Sequence, residues 1–219
     1  MKVLYEDNHL LIIEKPFNMP SQKDSSEDPD VLTMGKAYLK EKYNKPGNVY
    51  LGLVSRLDRP CGGVMLLAKT SKAAKRMNEQ FSLHSIKKEY LAIIDAVGLK
   101  EEDTFEDYLL KDSRANTVKV DPKGKYSLLS YRKIAERNNR TLVLIDLKTG
   151  RPHQIRVQFS SRNYPLTGDQ RYNSKAKKEQ LALWSFRLTF THPVTKKEIT
   201  ICDFPGSVFN EFDKEIKEL

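Results

Sequence analysis

The chain opens with VLYEDNHLLIIEKP, in which two short apolar runs, Val3 to Tyr5 and Leu10 to Ile13, flank a polar turn and stop at Pro16. That pattern predicts a β-hairpin. Ser21 to Asp30, SQKDSSEDPD, is polar and turn-rich. Asp30 then stands where it can cap a short helix whose Leu32, Leu39 and Tyr43 recur roughly on one face, and KPGN, Lys45 to Asn48, breaks it. Val64 to Ala68, VMLLA, is an unbroken apolar run of strand length. After it Thr70 or Ser71 caps a second helix, with Ala74, Met77 and Phe81 at helical spacing. Tyr90 to Val97 and Leu142 to Leu147 read as buried strands. Leu188 to Phe190 and Ile199 to Ile201 read as a hairpin around the loop His192 to Lys197. The last ten residues, Asn210 to Leu219, predict a frayed helix or a disordered tail.

Strands outnumber helices, and no regular strand-helix alternation supports a doubly wound parallel sheet. The expectation is an α+β fold on a mixed, mainly antiparallel sheet, with flanking helices and a central cleft. No internal repeat, low-complexity tract or clear linker interrupts the chain, so residues 1–219 are expected to form one domain.

Charge and cysteine content narrow the function classes. Lys and Arg number 38 against 29 Asp and Glu, a formal charge of +9, which suits a polyanionic partner. No apolar run is long enough to cross a bilayer as a helix, and the first segment lacks a secretory cleavage pattern, so a cytoplasmic protein is expected. Cys61 and Cys202, the only cysteines, have no partner at metal-ligand spacing; neither a disulfide framework nor a metal site is expected.

Three segments carry candidate chemistry. In VSRLDRPCGG, Val54 to Gly63, Asp58 lies between Arg56 and Arg59 ahead of a proline and two glycines. Flanking guanidinium groups favour the carboxylate, suiting Asp58 to act as nucleophile or general base; the alternative is a surface Arg-Asp-Arg ion network at a turn. In KKEYLA, Tyr90 enters a buried strand behind two lysines, and either stacks on a base or is an ordinary core residue. In TGRPHQIRVQF, Thr149 to Phe159, Gly150 supplies a turn and Pro152 fits the first helical position, while Ile155 and Phe159 point the helix to the core. Arg151, His153, Gln154 and Arg156 crowd its first turns, where an anion is favoured; His153 is equally open to a structural or a catalytic reading. Asn163 tolerates the left-handed conformation that would end this helix. The charges of KEKYNK and NSKAKKE read as solvated faces.

Together these segments resemble the RluA-type pseudouridine synthases, which isomerise uridine to pseudouridine in RNA. The resemblance runs from VLYEDNHLLIIEKP through SRLDRP with its GG, KKEYLA and TGRPHQIR to YPLTGDQRY and LTFTHPVT. It implies the catalytic fold of that family, with Asp58 as the catalytic aspartate, Tyr90 the active-site aromatic and Arg156 the basic residue that pairs with the Asp. Arg56 matches the position that helps hold the site open when the target nucleotide flips. Arg59, Arg151, His153 and Gln154 are the further substrate-binding candidates. The chain departs from most members in having Ser55 where they have His, and Cys61-Gly62-Gly63 where they have Thr-Ser-Gly. The family's catalytic-domain hairpin begins here at residue 3, so RNA binding by the catalytic domain itself, without a separate N-terminal RNA-binding domain, is expected.

The implied reaction breaks the N1–C1′ bond, turns the uracil and rejoins C5 to C1′. It involves no redox step or group donor, so no cofactor is expected. A flipped base costs a few kcal/mol, which phosphate contacts and stacking offset. The expected partner is ribosomal or transfer RNA, the expected state a monomer. Ser21 to Asp30 and Glu101 to Lys125 are the candidate recognition loops. Two other readings stand beside this one: a non-catalytic RNA-binding or ribosome-assembly protein on the same fold, and a hydrolase of an anionic small molecule using Asp58 and His153.

Overall fold

The apolar runs Leu10 to Ile13 and Val64 to Ala68 form strands that bury both of their faces, whereas the first run, Val3 to Tyr5, is only partly buried at the sheet edge. In β1 (Val3–Glu6) and β2 (Leu10–Lys15) the predicted hairpin is present, antiparallel, with Tyr5 opposite Ile12. It is followed by α1 (Val31–Lys42), the two-residue β3 (Gly52–Leu53), β4 (Gly62–Ala68) and α2 (Ser71–Ser82). β4 pairs antiparallel with β2 and with β3. Leu10, Ile12, Val64, Leu66 and Ala68 pack on one face against Ala73, Ala74 and Met77 of α2. Leu11, Ile13, Met65 and Leu67 pack on the other against Val31 and Leu39 of α1. A sheet covered on both faces has no polar-out positions, hence the unbroken apolar sequence; each fully buried Leu or Ile contributes about 1.5–3 kcal/mol. Both helices begin at the expected caps, Asp30 accepting from the Thr33 amide and Thr70 from the Ala73 amide. The buried stripe of α1 is Val31, Gly35 and Leu39, not Leu32, Leu39 and Tyr43.

The computed structural model describes all 219 residues, Met1–Leu219, which divide into two compact units. The first comprises Met1–Ile86 and Arg187–Asp203; the second comprises Lys87–Phe186 and Phe204–Leu219.

In the second unit β5 (Lys87–Ile94) is followed by β6 (Glu102–Asp112), β7 (Thr117–Val120), β8 (Lys125–Arg137) and β9 (Arg140–Leu147). The strand order is β5-β9-β8-β6-β7, each pair antiparallel. The segment Glu101 to Lys125, expected as a recognition loop, is therefore mostly strand. Its β6 exposes Glu102, Thr104, Glu106 and Tyr108 on alternate residues while burying Phe105 and Leu109. Phe105, Tyr131 and Phe159 form an aromatic cluster with ring centroids 4.9–5.3 Å apart. Phe159 belongs to α3 (Gln154–Ser160). β10 (Leu183–Thr191) runs into the first unit, where its end pairs with β11 (Glu198–Cys202) as the predicted hairpin.

The C-terminal residues are ordered, a correction to the frayed or disordered expectation. A 3-10 turn (Ser207–Phe212) and α4 (Asp213–Lys217) bury Phe209, Phe212 and Ile216. KEKYNK is likewise more than a solvated face. Lys42 and Tyr43, with Tyr38 and Lys69, donate to the Glu6 carboxylate at 2.6–2.9 Å. Burial alone would push Glu6 up, but these four bonds hold it down at about 2. The chain is α+β, and no helix is long and apolar enough to cross a membrane.

Candidate active site

Asp58 sits half-buried in the loop between β3 and β4, and the loop is held by side chains that imitate a missing strand. Ser55 Oγ accepts from the Leu66 amide and donates to the Leu66 carbonyl, both at 3.2 Å. Ser21 does the same for Leu57, accepting from its amide at 3.2 Å and donating to its carbonyl at 2.9 Å. The Cys61 amide closes a turn onto the Asp58 carbonyl at 2.9 Å. Serine at position 55, where a histidine was the family expectation, is thus short enough to pair with strand backbone. The exposed Arg56 is two residues before Asp58. Arg59 turns its guanidinium to the Ser21–Asp30 segment, bonding Ser26 at 3.0 Å and pairing with Asp24 and Asp28.

Beneath this loop lies Lys15, which is fully buried at the end of β2. Its ammonium donates to the Pro16 carbonyl at 2.9 Å and the Arg59 carbonyl at 3.0 Å, fixing the backbone immediately after Asp58. Burial pushes its pKa down to about 8, only partly offset by Cys61 and Asp58. Lys88 in the second unit is pushed down to about 8 as well, again by burial first. An unfolded lysine keeps its proton to about 10.5. Between pH 8 and 10 the unfolded chain therefore binds more protons than the folded one, and stability rises with pH; below 8 the penalty is complete. Urea titrations should show this rise, on the order of 1 kcal/mol per pH unit for each lysine. The double variant Lys15→Met/Lys88→Met should lack it; an equal rise in that variant would refute the assignment.

The second unit supplies the other candidates. Tyr90 lies on β5 opposite Ile145 of β9 and is partly exposed. After β9 the chain turns through Thr149 to His153 into α3, which starts at Gln154 rather than at Pro152. The reason is His153, whose φ of 52° is left-handed and cannot continue a helix backwards. Asn163, as expected, adopts the left-handed conformation just beyond the helix. The fully internal Gln154 accepts from Thr149 Oγ1 at 2.8 Å and the Arg151 amide at 3.0 Å, and donates to the Leu128 carbonyl and Gln158. These bonds make it a clamp on the turn. His153 Nδ1 meets the Tyr172 hydroxyl at 2.6 Å, and that hydroxyl accepts from the Val118 amide.

Arg156 is 5% exposed and makes a two-point pair with Asp169, Nε to Oδ2 at 2.8 Å and Nη2 to Oδ1 at 2.7 Å. Such fork-to-fork geometry fixes the plane of the guanidinium. Tyr172 lies 5.0 Å from its carbon on the ring face. Asp169 also accepts from the Arg171 and Tyr172 amides. It follows Gly168, whose φ of +71° and distance of 2.2 Å from a built Cβ to the Gln180 carbonyl oxygen leave no room for a side chain.

No individual role follows from the sequence for Asp169, Tyr172, Ser21, Lys15 or Lys88, although Lys88 is one of the two lysines before Tyr90. Asp169 and Tyr172 lie in YPLTGDQRY, and the only local signal for Lys15 is its place, after Glu14, at the end of the apolar run Leu10 to Ile13. No cluster of three or more His, Cys, Asp or Glu side chains is arranged to hold a metal ion.

Comparison with known proteins bears directly on these loops. A family model described as RNA pseudouridylate synthase matches residues 9–161. The ribosomal large subunit pseudouridine synthase C of Buchnera aphidicola subsp. Baizongia pistaciae is 34% identical over 91% of this chain and 65% of its own. The tRNA pseudouridine synthase C of Haemophilus ducreyi is 30% identical over 92% of this chain and 89% of its own. This chain therefore spans about two thirds of the length of the Buchnera relative and most of the Haemophilus one. Among solved structures, human RNA pseudouridylate synthase domain containing 4 shares the fold with a TM-score of 0.82 at 19% identity, covering 99% of this chain and 93% of that one. Because the family match extends over more than half the sequence and takes in the Asp58 loop, β5 and α3, the chain belongs to the RNA pseudouridylate synthase family.

Proposed function

We propose that this protein isomerises uridine to pseudouridine at specific positions of ribosomal or transfer RNA, acting in the cytoplasm as a monomer without a cofactor. The observation that carries the reading is the family match through residues 9–161, which contains SRLDRP, KKEY and TGRPHQIR in order. The relatives' names supply the two RNA classes.

The reaction conserves atoms. The N1–C1′ bond breaks, C5–C1′ forms, C5 loses its proton and N1 gains one. Asp58 supplies the carboxylate, with three routes open to it: attack on C1′, attack on the uracil ring, or removal of a sugar proton. Arg156, oriented by Asp169, supplies the cation that keeps the reacting carboxylate charged, and Tyr90 supplies the stacking face for the flipped base. Arg56, Arg151 and His153 contact the substrate. Gln154 positions the turn that carries Arg151 and His153. Arg59 reaches RNA by exchanging its Asp24 and Asp28 contacts for phosphate.

The test is to delete the gene and map pseudouridines across total cellular RNA by chemical labelling. At least one ribosomal or transfer RNA site should disappear, and the purified protein should restore it on an unmodified transcript. An unchanged map together with no activity in vitro would overturn the reading.

A further inference from the structure

Lys88 is 8% exposed, yet its three N–H donors make a single hydrogen bond, to the Thr149 carbonyl at 3.4 Å. That distance lies beyond the usual range for such a bond. No carboxylate pairs with it. β5 and β9 place Glu89 opposite Asp146, so both acids project from the strand face opposite to that of Lys88. Asp146 is bonded to Lys148, and its attraction leaves Lys88 with a pKa that burial lowers and Arg151 lowers further. Arg151 donates from Nε to the Tyr126 carbonyl at 2.9 Å, and its terminal nitrogens make no hydrogen bond or ion pair. Two neighbouring cations, one drawn out of water, thus have donors to spare. A desolvated charge left so is costly unless something of opposite sign joins it.

The open side of the ammonium can be located. A Cβ built on Gly150 would come within 3.8 Å of Lys88 Nζ and meet nothing else within 4 Å, and Gly150 is exposed. Access to Lys88 thus lies over a bare backbone, next to Arg151. Two residues apart on β5, Lys88 and Tyr90 face the same way. Two cations over a glycine suit a compact anion with several acceptor oxygens.

We propose that Lys88 and Arg151, with Gly150 leaving the approach open, form a binding subsite for a backbone phosphate of the RNA substrate, an assignment that rests on the pseudouridine synthase reading. The phosphate belongs to the stretch of chain whose base lies against the Tyr90 face.

The experiment measures binding of an unmodified large-subunit ribosomal RNA transcript, and separately of unmodified tRNA transcripts, over a range of salt concentrations. Lys88→Met should bind about tenfold more weakly. Its slope of log affinity against log salt should be shallower by about 0.7, one phosphate contact. Its thermal midpoint should hold or rise, because a buried unpaired cation has been removed. Unchanged affinity and slope would overturn the subsite, as would a lowered midpoint with an unchanged slope, which would mean that Lys88 only braces Thr149. Gly150→Glu is the second variant, placing a carboxylate over the ammonium from an exposed position. It should weaken binding similarly, and unweakened binding would overturn the subsite whatever the folding of Lys88→Met. Pseudouridine formation by the unaltered protein is assayed in parallel. If pseudouridine forms while the variants bind normally, the subsite alone fails; if none forms, the enzymatic reading fails, and loss of all RNA binding removes both.

Discussion

Replacing Asp169 with alanine is expected to destabilise the protein by about 3–5 kcal/mol, the usual cost of breaking a buried ion pair from one side. The Asp169 side chain is fully buried, and it holds the Arg156 fork at two points while accepting from the Arg171 and Tyr172 amides. Its loss removes three functions at once: the counter-charge, the plane of the guanidinium and the turn after Gly168. For a chain of this size the melting temperature should fall by roughly 10 °C. Asp169→Asn, which keeps the shape and part of the hydrogen bonding, should lie between the two. Lys217→Met is the contrast, since it breaks an exposed helix-surface pair with Asp213 and should have no measurable effect. Urea midpoints at constant slope report the difference, and a loss below about 1 kcal/mol for Asp169→Ala would show that packing around Arg156, not the pair, holds this turn.

The contrast between Arg156 and Asp169 also shows what the sequence disclosed. Arg156 stands in a crowded motif, TGRPHQIR, whose density of polar groups at the start of a helix is itself a signal. Its partner is 13 residues away across a turn, inside YPLTGDQRY, a segment that carries the resemblance but assigns this acid no role. β2 and β4 were legible because both faces are buried, which leaves an apolar run that periodicity detects. β6 was not: its exposed face carries Glu102, Thr104, Glu106 and Tyr108, and the buried Phe105 and Leu109 are too few to outweigh them. The same holds for the C-terminal turn, where Phe209, Phe212 and Ile216 anchor a segment that reads as charged. The burial of Lys15 and Lys88 was invisible for a general reason. Lysine is almost never fully buried, so a sequence reading assigns it to solvent. Only coordinates reveal that one fixes the backbone after Asp58 and the other lies beneath Gly150.

The largest expected effect on activity belongs to Asp58. Its loop is held by Ser55 on Leu66, Ser21 on Leu57, the Cys61 amide on the Asp58 carbonyl, and Lys15 on the Arg59 carbonyl. All of these engage backbone groups rather than the Asp58 carboxylate, so Asp58→Asn should leave the loop's path intact. The substitution keeps the size and shape of the side chain but removes its ability to attack carbon or accept a proton. Under each of the three routes open to the carboxylate, the chemical step then fails, by at least about 10³-fold. RNA affinity and its salt dependence should persist, because the phosphate contacts come from lysine and arginine. Pseudouridine counts on an unmodified transcript, set beside binding of the same transcript, separate the two quantities. Turnover within tenfold of the unaltered protein would remove Asp58 from the chemistry. Restored modification in cells by Asp58→Asn would support the non-catalytic reading, in which binding alone matters. Abolished modification with intact binding fits only an enzyme whose chemistry depends on that single carboxylate.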